Sequence, residues 1–125
     1  MNKEDKAIEY RYILSNYIKY RDKLCFAIKD LRHILEEKDM NNIDALEIMA
    51  ELQDRFDDSK KLLKALNENI LTIIDKGEEE FNPSNYKLDI VIESVQNFVD
   101  YVCYIKNQLS GYGLEDETNN FNELN

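Results

Sequence analysis

A chain of 125 residues with 26 Asp and Glu against 16 Lys and Arg carries a formal net charge of −10. Such a charge repels nucleic acid and anionic membrane surfaces, which excludes direct binding to either as a leading function. One histidine, two cysteines and no apolar run near the ~18 residues that span a bilayer leave little material for catalysis, a disulfide framework or membrane insertion. The length suits one domain, able to bury roughly two-thirds of the surface its unfolded chain exposes.

The first twelve residues, MNKEDKAIEYRY, are charged and lack the apolar stretch of a signal peptide, so a cytoplasmic location is expected. Cys25 and Cys103 match no zinc or redox spacing and read as small buried apolar side chains in a reducing compartment. Abundant Asn, Ile, Lys and Tyr, all with AT-rich codons, point to a low-GC bacterium or one of its phages as the source. The acid is unevenly placed. Residues 1–40 hold nine Lys/Arg against eight Asp/Glu, residues 41–80 five against eleven, and residues 81–125 two against seven.

Three helical patterns fill the chain. In the first, expected over about 4–38, the row Ala7, Tyr10, Leu14, Tyr17, Leu24, Ile28, Leu31 and Leu35 steps by three and four, with Arg21 as its one interruption. A parallel row of Ile13, Tyr20, Ala27 and Ile34 widens the stripe, so this helix should pack against more than one neighbour. The second, expected over about 43–76, carries Ala45, Met49, Leu52, Phe56, Ser59, Leu63, Leu66, Ile70 and Ile73, with Asn42 as N-cap and Gly77 as C-terminal cap. The third, expected over about 84–110, carries Leu88, Val91, Val95, Phe98, Val102, Ile105 and Leu109, broadened by Ile92 and Val99. Asn82-Pro83-Ser84 breaks the chain before it, and Gly111 and Gly113 end it. The heptad spacing outlasts the β-branched run at Leu88–Ile92, which decides helix over strand there.

A seam that repeats every seven residues predicts gently supercoiled, nearly antiparallel packing. The expected fold is all-α: an elongated up-down-up three-helix bundle over 1–110 with coiled-coil-like heptad packing, followed by a flexible acidic tail over 111–125.

Catalytic, cofactor-binding and metal-binding residues are all read as none, and the chain is expected not to be an enzyme. His33 falls opposite the seam and has no Cys, Ser or Asp arrangement to serve. Gly-rich phosphate loops and inward Glu-x-x-His pairs are missing. Glu47, Glu51 and Asp54, the nearest approach to the carboxylate clusters of all-helical nucleotide pyrophosphatases, lie opposite Ala45, Met49 and Leu52 and face water.

Two surfaces remain. On the first helix, Ile8, Tyr12, Ile18, Cys25 and Phe26 lie outside the seam, flanked by Lys19, Arg32 and His33. Aromatic side chains rimmed by basic groups mark a contact surface, so Tyr12, Ile18, Lys19, Phe26 and Arg32 are the candidate residues for binding a protein partner. A surplus of apolar positions on this helix also points to a homodimer. The second surface is acidic: Asp44, Glu47, Glu51, Asp54 and Asp58 on the second helix, Asp89, Glu93 and Asp100 on the third. One such row presents negative charge every ~5 Å, a linear density comparable to that of duplex DNA. The tail, with Leu114, Phe121 and Leu124 among acids, reads either as a segment with no role or as a short peptide ligand.

The leading expectation is thus a non-enzymatic protein-interaction module, a regulator or adaptor that binds through a helical face. The runner-up is an inhibitor whose acidic faces imitate nucleic acid. In profile, being small, acidic, helical and short of motifs, the chain is similar to phage-encoded anti-CRISPR proteins, a likeness carried by no single motif. No cofactor, direct nucleic-acid partner or membrane partner is expected.

Overall fold

The computed structural model describes residues 2–36 and 43–110, without the side chains of 43–48 and 109–110. Three long helices form: α1 over Lys3–Glu36, α2 over Ile43–Glu80 and α3 over Leu88–Ser110, with a single 3-10 turn over Pro83–Asn85. No strand occurs among the described residues. At 1.5 Å per residue α1 is about 51 Å long and α3 about 35 Å. The protein is an all-α three-helix bundle, as the heptad seams predict.

Cross-helix contacts give the direction of each helix. Lys6 donates from Nζ to the backbone carbonyl of Glu79, and Arg32 lies over the Phe56 ring at 5.9 Å. Early α1 therefore meets late α2, and the pair is antiparallel. Tyr17 packs on Tyr86 just before α3, and Lys106 pairs with Asp30 at 3.3 Å, so α3 runs parallel to α1. The bundle is up-down-up. Its packing is unequal: α1 is the helix on which both others rest, while α2 and α3 come close enough for side chains such as Arg55 and Tyr101 to meet. The two apolar rows of α1 reflect this double duty. Ile13, Tyr17, Leu24, Ala27, Ile28 and Leu31 are all buried.

The other seams are buried too. Leu52, Leu66, Ile70 and Ile73 of α2 and Val95, Phe98, Val102 and Ile105 of α3 complete the core. Ser59, the polar member of the α2 row, is 3% exposed and donates from Oγ to the Phe56 carbonyl at 2.6 Å, so its hydroxyl is satisfied within its own helix. Phe56 is half-buried, packed on the core beneath Arg32 and Lys60. Arg21 sits in the seam without a buried acid. Its Nε pairs with Asp22 at 3.1 Å, and the side chain is 31% exposed, the stem covering apolar surface while the head reaches water.

Three boundaries were expected from the sequence, and two of them differ in the structure. First, α1 is described to Glu36, and residues 37–42, with the expected helix end and the expected cap Asn42, lie outside the described residues, as does the tail at 111–125. At the other end of α1, Asn2 Oδ1 accepts from the Asp5 amide at 2.8 Å and caps the helix.

Second, α2 continues past Gly77 to Glu80 through a kink, where the glycine adopts φ 71° and ψ −178°. That backbone region is essentially open to glycine alone. The sequence correctly marks the end of the regular helix, but a further turn follows it. This turn is tied to α1 by Lys6 and by Arg11, whose Nε stands 3.8 Å from Glu78.

Third, α3 starts at Leu88 rather than near 84. Asn82 caps the 3-10 turn instead, its Oδ1 accepting from the Ser84 amide at 3.1 Å. Tyr86 is then extended, and the Lys87 carbonyl opens α3 by accepting from Val91 at 3.2 Å.

The α2–α3 connection holds an unexpected part of the core. Phe81 is 2% exposed. It meets Tyr10 edge-on at 5.2 Å and stacks on Tyr86 at 5.3 Å, and Tyr86 in turn meets Tyr17 edge-on at 6.0 Å. Tyr10 also donates from its hydroxyl to the Ile73 carbonyl at 3.2 Å. Both cysteines depart from expectation in the other direction: Cys25 and Cys103 are exposed, because each falls on the outer half of its helix.

Phe81→Ala should lower unfolding free energy by about 3–5 kcal/mol, the usual loss for a large buried aromatic, read from urea melts. Gly77→Ala should cost about 1–3 kcal/mol from backbone strain. Beyond the neighbouring backbone, no heavy atom lies within 4 Å of an added Cβ there, so collision with other parts of the molecule contributes nothing. A neutral Gly77→Ala would show that the kink is not a fixed feature.

Candidate functional site

The five partner-binding candidates on α1 do not form one patch. Successive residues turn about 100° around a helix, and the two neighbours of α1 divide its surface. Arg32 leans toward α2 over Phe56. Ile18 is half-buried and packs on the core, which corrects its expected exposure. Lys19 remains on the outer face, its ammonium 5.6 Å from the Tyr20 ring centroid. Phe26 is 71% exposed, and Tyr12, 53% exposed, turns toward α3. His33 is exposed as expected.

Tyr12 belongs to a feature of relief in the described surface that gathers several elements. A broad open groove of about 480 Å³ runs between the first half of α1, the 3-10 turn and the start of α3. Tyr12, Ile13, Tyr86, Leu88 and Ile90 supply its apolar walls, and Glu9, Lys87 and Asp89 its charged edge. Ile90 is 56% exposed, and Ile8, one turn before Tyr12 on α1, is 64% exposed. The groove exists because α3 begins late. The chain spends Asn82–Lys87 crossing beneath α1, so the first turn of α3 stands off from the residues of α1 that precede Tyr17. Ile90 could not be assigned to this surface from the sequence. Its place outside the seam of Leu88, Val91 and Val95 follows from helical spacing, but that it stands beside Tyr12 does not.

On the acidic side, Glu51, Asp54 and Asp58 of α2 and Asp89, Glu93 and Asp100 of α3 are all exposed. Asp44 and Glu47 belong to α2, but their side chains lie outside the described residues. Asp100 accepts from Gln96 at 2.9 Å. Lys60, Lys61 and Lys64, all exposed, follow the α2 acids and end the row. Asp89 also edges the apolar groove, so the two candidate surfaces touch at the start of α3. Among the described residues no three metal-ligating side chains gather in metal-binding geometry.

Two tyrosines carry shifted ionisation. Burial, and secondarily Tyr86, raises the pKa of Tyr17 above its ordinary 10.0. Burial raises that of Tyr101, aided by Glu51 and opposed by Arg55, whose guanidinium lies 4.7 Å from the ring centroid. The Tyr101 hydroxyl is out of solvent and has no hydrogen-bond partner among the described residues. Both rings belong to the packing between helices.

The chain is similar to an uncharacterized protein of Dictyostelium discoideum that is named as a transmembrane protein. The two are 35% identical over an alignment of 123 positions that covers 93% of this chain and 61% of the relative. The chain thus spans about three-fifths of that relative's length. No family profile matches the sequence, and no solved structure matches it. None of the described helices is long and apolar enough to cross a membrane.

Tyr101→Phe should leave stability unchanged or raise it by about 1 kcal/mol, since it deletes a buried hydroxyl without a partner. Tyr17 should act through pH. Its raised pKa means the fold favours the neutral phenol, so its contribution is whole below about pH 10 and is lost as pH climbs from there through the raised folded value. Urea melts across this range should show a shallower loss of stability for Tyr17→Phe than for the parent chain. Parallel curves would mean that Tyr17 ionises alike in both states.

Proposed function

We propose that this chain is a non-enzymatic protein-interaction module, a regulator or adaptor, that binds a protein partner through the groove between α1 and α3. The observation that carries the reading is the gathering of exposed Ile8, Tyr12 and Ile90 at one end of the bundle, around an open apolar trough with a charged edge. Enzyme and cofactor sites enclose most of their ligand. An open trough with an aromatic anchor and a polar rim is the form of a protein contact. The two exposed thiols suit a reducing cytoplasm, and the reading places the chain there. The relative named as a transmembrane protein fits the same scheme. In it, the matched region would be the partner-binding part of a longer chain.

The second reading, an acidic surface that occupies a basic nucleic-acid channel, is favoured by the exposure of Glu51, Asp54, Asp58, Glu93 and Asp100. The two readings separate by position and by salt. A photo-crosslinking residue at position 12 should capture the partner, and Ile90→Glu should abolish capture. Asp54→Lys with Asp58→Lys should not. Binding through the groove should survive added salt, whereas contacts between surface charges fade once screening falls below ~8–10 Å. Loss of capture in the Asp54/Asp58 variant, with Ile90→Glu unaffected, would overturn the groove in favour of the acidic face.

A further inference from the structure

The most exposed large apolar side chain of the described surface is Phe26, at 71%. It lies outside the groove, in the second half of α1. Three lysines ring it on the same face of the helix: Lys19 and Lys23, seven and three residues before it, and Lys29, three after it. Two acids share this face, and both are engaged elsewhere. Asp22 pairs with Arg21 at 3.1 Å and Asp30 with Lys106 at 3.3 Å. Among the described residues no carboxylate stands within ion-pair distance of Lys19, Lys23 or Lys29. In a chain of net charge −10 this is a basic, aromatic island whose lysines pair with no described carboxylate.

We propose that residues 111–125 of this same chain dock on that island, their carboxylates on the three lysines and their apolar side chains on Phe26. Complementarity of charge is the first argument. The segment holds Glu115, Asp116, Glu117 and Glu123 and no basic residue, interleaved with Leu114, Phe121 and Leu124. Reach is the second. The Lys106–Asp30 pair sets the end of α3 beside the second half of α1. Phe26 lies about 6 Å further back along the helix axis and Lys19 about 17 Å, while fifteen residues extend to at most ~50 Å.

Tethering is the third argument. A segment attached this close meets the face at millimolar effective concentration, which a free partner rarely matches. A second copy meeting this face symmetrically would set lysine against lysine, and nucleic acid would face the net charge of the whole molecule. The inference stands apart from the groove, since other side chains in another part of α1 carry it.

The test uses the full chain. With Cys103→Ser in place, a nitroxide on the exposed Cys25, next to Phe26, should erase the amide NMR signals of Leu114 to Leu124. The same label on residue 61 of the outer face of α2 (Lys61→Cys with both native cysteines replaced by Ser) should leave them intact. Lys19→Glu, Lys23→Glu and Lys29→Glu together should restore the signals, with an unchanged circular dichroism melt as proof of fold. So should 1 M salt, where screening shortens to ~3 Å. Equal broadening from both label sites, or none from either, would overturn the proposal. Broadening that grows with protein concentration would overturn it as well, by showing the tail of a second copy on the face.

Discussion

The turn between α2 and α3 is held by aromatic contact with α1, and the rest of the bundle depends on that hold. Phe81 is buried between Tyr10 and Tyr86, and Tyr86 reaches Tyr17, so four rings, two from α1 and two from the connection, form a continuous plug. The connection has little hydrogen-bonded structure of its own beyond a single 3-10 turn. Its position is set by how the rings pack, since aromatic pairs in edge-on and offset contact gain energy beyond the area they bury. Two things follow from where the plug sits. The last turn of α2 is drawn across the N-terminal end of α1, which requires the glycine kink at residue 77. The start of α3 is pushed late and outward, which opens the groove beside Tyr12.

The division of labour among the helices follows from charge as much as from packing. With both neighbours resting on α1, its remaining outer strip is narrow, and that strip collects lysines around Phe26. The outer faces of α2 and α3 carry the acids instead. Charge is therefore unevenly divided, with acid and base near balance on α1 and acid in excess on α2 and α3. A strongly acidic protein with a basic strip can attract an acidic segment locally while it repels polyanions at long range, because screening limits each lysine to its near surroundings. The two candidate contact surfaces of α1 then differ in kind: the groove offers shape and apolar area, the Phe26 island offers charge.

Much of this was legible beforehand. The alternating steps from Tyr10 to Leu35, from Met49 to Ile73 and from Leu88 to Ile105 named the buried residues almost one for one, because a helix that must bury a stripe can do so only at that period. Arg21 and Ser59, the polar members of two seams, were also visible, and each is accommodated locally by its own helix. Gly77 was marked as a terminus, and its backbone angles bear that out. What misled was reasoning from residue type without position. Cysteines are usually buried, yet Cys25 and Cys103 are exposed. Phe81 looked like part of a linker, yet it is among the least exposed side chains described.

Local sequence by itself determined the helices, the faces they bury and the sign of charge on the faces they leave, since those depend on spacing within one element. Tertiary structure alone decided which exposed side chains stand together. Tyr12 and Ile90 are distant in sequence and meet only because α3 runs parallel to α1 and starts late. Ile18 and Arg32, read as companions of Tyr12 and Phe26, lie on the other side of α1, where Ile18 packs on the core and Arg32 meets Phe56 of α2. The physical reason is that a seam fixes rotation of a helix about its own axis, whereas the relative height and tilt of two helices are set by whatever fills the space at their ends. Here that filling is a cluster of rings contributed partly by a connection with no periodicity to read.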